Sequence, residues 1–172
     1  NSTFAMQVRP GNIRIEAERG GGSVYDIGIY CINAARYIFQ DEPVELVAHT
    51  AQNGDPRFKE VDEMTSAILK FPHARLATIT SSFNGPNVQQ YTVMGTKGVL
   101  RVDPAFDYSA DLKHYLTIDG RTEETVFPKR DHFASEISYF SDCILDDKAP
   151  EPDGWEGLAD VQIIEAIYKS AQ

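Results

Sequence analysis

Apolar and polar residues alternate with a period of two through the middle of the chain and recur at helical spacing towards both ends. The alternation predicts strands over residues 44–50, 64–71, 75–83, 89–94 and 99–102, with turn chemistry between them in Asn53-Gly54-Asp55-Pro56, Pro72-His73 and Thr96-Lys97-Gly98. Residues 112–118 and 122–127 make one more hairpin around Asp119-Gly120. Upstream, residues 3–8 read as a short strand, Arg9-Pro10-Gly11-Asn12 as a turn, and Ile13-Arg14-Ile15 as a further alternating stretch leading into Glu16. After Gly20-Gly21-Gly22 the period changes. Ser23 stands as an N-cap, residues 24–39 read as a helix, and Asp41-Glu42-Pro43 ends it. Two more helices close the chain, one marked by Phe133, Ile137, Phe140 and Ile144, the other by Leu158, Val161, Ile164 and Tyr168, with a Pro-rich connector between them.

A helix, then a run of strands, then two helices is the order of an α+β domain: a largely antiparallel β-sheet with helices packed on one face. The 172 residues fit a single domain large enough for its own core. In strand 75–83 one side presents Leu76, Thr78, Thr80 and Ser82, too polar for a core and too regular for a loop. That side meets either solvent or a partner.

Composition narrows the class of protein more than the fold. Hydrophobic residues at 42% and charged residues at 24% exclude a disordered or fibrous chain. The most apolar stretch, residues 24–39, contains Asp26, Asn33 and Arg36 and is too short to cross a bilayer, so no membrane partner is expected. The formal charge is −10, and residues 87–172 carry 16 acidic against 8 basic groups, which would repel a phosphate backbone and exclude nucleic acid. Opening at Asn1 without a basic or apolar leader carries the expectation of a cytoplasmic protein, or of a piece cut from a longer one. Cys31 and Cys143 lie in apolar helical patterns and fit reduced thiols better than a disulfide.

Gly20-Gly21-Gly22-Ser23 enters a helix, a geometry whose backbone N–H groups can hold an anion. It is not a dinucleotide fingerprint, since Tyr25 stands where GxGxxG needs its third glycine, and the same Tyr25 breaks the GxSxG nucleophile elbow. The four histidines are scattered without ligand spacing, so no metal site is expected. What remains is a stripe: Asp26, Tyr30, Asn33 and Tyr37, at i, i+4, i+7 and i+11, run down one face of an otherwise apolar helix. Asp26 supports two readings, a capping box with Ser23 or a carboxylate facing a ligand. Gly28 inside the helix costs about 1 kcal/mol relative to Ala and implies a close approach there. Tyr30 is the group that hydride-transfer chemistry can use, because oxidising an alcohol also releases a proton from oxygen. A phenol of reference pKa about 10 is a sluggish base without a nearby cation, and neither this helix nor the glycine turn contains a lysine.

The segment from Gly20 through Asp26, Gly28 and Tyr30 to Asn33 resembles the GGGxxxDxGxY motif of the glucose-fructose oxidoreductase and inositol dehydrogenase (Gfo/Idh/MocA) family. Ala34-Ala35-Arg36-Tyr37, Glu42-Pro43-Val44, the stretch from Gly95 through Asp103-Pro104 to Phe106, and Glu165-Ala166-Ile167-Tyr168 resemble its C-terminal domain in the same order. The resemblance implies a two-domain dehydrogenase in which residues 1–172 are the substrate-binding and dimerisation domain, an α+β fold with an open, largely antiparallel mixed β-sheet and helices packed on one face, and a preceding Rossmann domain, absent from this chain, binds NAD or NADP. It further implies that Tyr30 exchanges the substrate hydroxyl proton, assisted by a lysine of the other domain, that Asp26 holds substrate hydroxyls, and that the open sheet face joins subunits. Arg14 resembles an arginine that lies near the cofactor in some relatives, with Ile13 in place of a tryptophan; pairing with Glu16 is the alternative. The implied function is oxidation or reduction of a sugar-like or polyol substrate by the full-length protein, these 172 residues being inert alone. The rival is a non-catalytic sugar-binding or oligomerisation module.

Overall fold

A computed structural model describes all 172 residues, Asn1–Gln172. The strands are β1 (Ser2–Gln7), β2 (Glu45–Ala51), β3 (Met64–Phe71), β4 (Arg75–Ser82), β5 (Asn84–Gly95), β6 (Gly98–Val102), β7 (Leu112–Ile118) and β8 (Arg121–Phe127). They form one open sheet in the order β2-β3-β4-β1-β5-β6-β7-β8. Hairpin neighbours pair antiparallel, as their short connections require, but β1 inserts between β4 and β5 and runs parallel to β4, with Phe4 opposite Ser81. The mixed, largely antiparallel sheet expected from the sequence is therefore present. Its single parallel pairing is made by the first strand.

Alternation fixes which face is covered. In β3, Thr65, Ala67, Leu69 and Phe71 are buried while Met64, Ser66, Ile68 and Lys70 lie on the opposite side. Onto the buried face pack α1 (Ile29–Phe39) and α3 (Gly154–Ser170), whose Cys31, Ile32, Ile164 and Ile167 join Leu69, Phe71 and Ile79 in the core. The third helix, α2 (His132–Leu145), begins where the Asp131 carboxylate accepts from Ala134 N. Its apolar stripe forms as the sequence predicts, but Phe133, Ile137, Phe140 and Ile144 remain exposed.

Two local expectations fail. Ile13-Arg14-Ile15 is a single 3-10 turn and not a strand, because the Asn12 side chain accepts from Arg14 N and curls the chain. Ser23 does not cap its helix: it already has helical dihedrals, and its hydroxyl is drawn to Asp62. The helix also opens with a wider π turn over Val24–Gly28 before α1 begins. Gly28 does provide the close approach its position implied, since a Cβ there would lie 3.3 Å from Ser81 Oγ on β4.

The glycines separate by what surrounds them. A Cβ on Gly21 would meet the main-chain oxygens of Arg14 at 2.6 Å and Glu16 at 2.8 Å, whereas one on Gly157 within α3 would meet nothing. Gly21→Ala should cost about 2–4 kcal/mol and Gly157→Ala should gain up to about 1 kcal/mol in thermal or urea unfolding. Equal effects at the two positions would contradict the packing described for the turn.

Candidate functional site

The glycine turn is held from inside the protein. Gly21 N donates to Glu16 O and Gly22 N to Arg14 O, while Ser23 N donates to Asp62 Oδ1 at 3.1 Å. The N–H groups that could have gripped an external anion are thus satisfied, and the anion at this helix start is the protein's own Asp62. The same buried carboxylate accepts from Ser23 Oγ, from Thr65 Oγ1 at 2.8 Å and from Tyr168 Oη at 2.6 Å. Burial and the adjacent Asp62 charge push the Tyr168 phenol well above its ordinary range, so it stays a donor. Turn, sheet and C-terminal helix are tied at one point.

From that anchor the helix sends its polar stripe outward. Asp26, Tyr30, Asn33 and Tyr37 all line one cavity of about 510 Å³, together with Tyr91, Phe106 and Asp160. The capping reading of Asp26 fails, and so does the pairing of Arg14 with Glu16. Arg14 Nε donates to Asp26 Oδ2 at 2.6 Å, and Glu16 instead meets Arg19. Tyr30 is about half exposed and packs its ring against Phe4 and Phe106, with centroids 5.5 and 5.8 Å away. On its other side a second groove of about 330 Å³ runs past Asp26, Arg14, Asn87, Gln89 and Ser109. Asp26 and Tyr30 form the ridge shared by both hollows.

Asn33 and Asp160 connect this ridge to α3. Asn33 Nδ2 donates to Asp160 Oδ2 at 3.2 Å, which leaves the Asn33 carbonyl as its free pole. Asp160 Oδ1 accepts from Arg36 Nη1 at 2.8 Å, and Arg36 also meets Glu42 at 2.5 Å and Glu156 at 3.0 Å. Burial holds the Asp160 carboxyl above the usual carboxylate range, while Glu42 and Asp160 hold the Arg36 guanidinium firmly protonated.

Arg14, Asp26 and Tyr30, singled out from the sequence, come together; Asp62, Tyr91, Phe106 and Asp160 did not announce themselves. Asp160 carried a readable signal, because Asp160, Ile163, Ile164 and Ile167 share the buried stripe of α3 and a carboxylate there needs a partner. As a boundary for a nicotinamide the groove fits in one respect: Arg14 uses only Nε on Asp26, so its outer nitrogens remain able to donate to a carboxamide oxygen. No group of three or more His, Cys, Asp or Glu side chains is disposed to hold a metal ion. No helix is long and apolar enough to cross a membrane.

Residues 1–101 match the family model described as the GFO/IDH/MocA C-terminal domain. The chain is 35% identical over 165 residues to D-xylose 1-dehydrogenase [NADP(+)] of Haloarcula marismortui, covering 95% of this chain and 46% of that protein. It is 33% identical to D-xylose 1-dehydrogenase (NADP(+)) 2 of Haloferax volcanii, covering 100% of this chain and 52% of that one. The crystal structure of an aldose-aldose oxidoreductase from Caulobacter crescentus complexed with glycerol superposes with a TM-score of 0.91 at 34% identity, over 99% of this chain and 52% of that chain. This chain thus spans about half the length of the relatives it matches.

The buried ion cluster yields a test of the site's framework. Replacing Arg36 by Met strands Asp160 in a position only 6% exposed and should cost about 3–5 kcal/mol, whereas Arg36→Met with Asp160→Leu should recover much of that loss. Equal stability of the single and double variants in denaturant titration would contradict the pairing.

Proposed function

The chain belongs to the GFO/IDH/MocA family, and from that premise we propose that it is the substrate-side domain of an NADP-dependent oxidoreductase acting on a hydroxyl of a sugar-like or polyol molecule. The observation that carries the reading is the Asp26–Tyr30 ridge, open to cavities on both sides and backed by aromatic rings. NADP, when bound, supplies the hydride acceptor or donor, and its main site belongs to a Rossmann domain outside residues 1–172. Arg14, at the groove mouth, is this chain's contribution on the cofactor side. Asp26, with one oxygen held by Arg14, keeps the other to accept a substrate hydroxyl and fix the ring. Tyr30 Oη takes the proton of the reacting hydroxyl as it releases its own, by way of a lysine of the other domain, to solvent. The Asn33 carbonyl accepts a neighbouring hydroxyl.

The uncovered sheet face supports a homo-oligomer. Val47, Ile68, Leu76, Met94 and Val99 are exposed there, around the Thr78 and Thr80 row. Two free, buried cysteines suit the reducing cytoplasm, where we place the protein.

Tyr30→Phe in the full-length protein should lower kcat about 100-fold or more while thermal unfolding shifts little, because the hydroxyl has no hydrogen-bond partner inside the domain. The 172 residues alone should show no turnover. An unchanged kcat for Tyr30→Phe, with D-xylose as substrate, would remove the catalytic role. Separately, Ile68→Glu should lower the mass seen by light scattering to that of a smaller assembly; a monomer for the unsubstituted protein would exclude the sheet interface.

A further inference from the structure

The charge around the ridge says which members of the substrate class fit. The first cavity is lined by Asp26 and Asp160 and by no lysine, arginine or histidine. The groove on the far side of Tyr30 adds Asp107 against a single cation, Arg14. Beyond Asn33 and Tyr37 a third hollow of about 640 Å³ brings Asp41, Glu42, Glu151 and Glu156 against Arg36 alone. Neither guanidinium offers net positive charge. Arg14 is balanced by Asp26, and Arg36, 5% exposed at its side chain, already meets Glu42, Glu156 and Asp160. Across the three hollows seven carboxylates line the walls against two guanidiniums, so an anionic group entering them would meet net negative charge and lose its hydration.

The remaining lining suits uncharged rings. Phe106 stands at the centre of an aromatic wall, 5.7 Å from Phe4, 5.8 Å from Tyr30 and 6.0 Å from Tyr91 between centroids, and can cover the C–H face of a sugar. Burial raises the Tyr91 phenol above its ordinary value, so it presents a neutral O–H at the cavity wall. Gln89 holds Asn87 through Nε2, so the polar groups these two side chains bring to the groove wall are uncharged amides.

We propose that the site selects neutral, unphosphorylated sugars or polyols and rejects sugar acids, sugar phosphates and nucleotide sugars. The proposal rests on the oxidoreductase reading above and narrows its substrate class. Carboxylates here act by exclusion as well as by contact.

The test compares matched compounds on the full-length protein with NADP: D-xylose and D-glucose against D-glucuronate and D-glucose 6-phosphate. The glucose derivatives differ from D-glucose at C6 alone. The uncharged sugars should give kcat/KM at least about 100-fold higher than their anionic counterparts. High salt should narrow the gap by screening. Asp107→Asn should raise kcat/KM for D-glucuronate relative to D-glucose by about 3-fold or more. Equal or better turnover of either anionic compound overturns the proposal and leaves the oxidoreductase reading standing. No turnover of any of the four, with a folded protein, brings down the reading and the proposal together.

Discussion

Asp62 accepts from Ser23 N, Ser23 Oγ, Thr65 Oγ1 and Tyr168 Oη, and the direction in which the first helix points follows from that one carboxylate. Its partners come from the glycine turn, the start of β3 and the C-terminal helix, three pieces far apart in sequence. Gly22 makes the junction possible, since a Cβ there would collide with the Tyr168 hydroxyl at 2.6 Å. A buried carboxylate is tolerated when hydrogen bonds replace its water, and here the donors include the N–H at a helix start, where negative charge is favoured. Removing Asp62 would strand several buried donors together, each costing on the order of 1–3 kcal/mol.

Because the helix is pinned at its first residue, its polar stripe is presented on a rigid element. Gly28 then lets it lie close against Ser81 of β4. Asp160 and Arg36 fix the same helix about three turns further on, so the ridge carrying Asp26, Tyr30 and Asn33 is held at both ends. The sheet supplies the floor through Phe4 and Tyr91, and the loop after β6 adds Phe106. The proposed chemistry also needs a cation for the phenol and a roof over the hollows, which the proposal assigns to a second domain; the relatives are about twice this length.

Strands with local partners could be read from the sequence: β3 and β7 fall on the residues that alternation marks. The stripe was also legible, because polar residues at helical spacing on an apolar helix leave few alternatives. Contacts made at long range were not. The Ser23 to Asp26 spacing suggests a cap, but the carboxylate that takes the Ser23 hydroxyl lies 39 residues downstream. Arg14 has an acidic neighbour two residues away and pairs with one 12 residues away. The parallel entry of β1 depends on β4 and β5, and nothing near residues 2–7 encodes it.

If the ridge is the substrate site, one hydroxylated molecule lies against Asp26 and Tyr30, and a crystal structure of the full-length protein with its cofactor and D-xylose decides it. A sugar hydroxyl is expected within hydrogen-bond distance of Tyr30 Oη and another at the Asp26 carboxylate, with the ring over Phe106. A sugar bound elsewhere, with the ridge covered by protein or filled only by solvent, would contradict it.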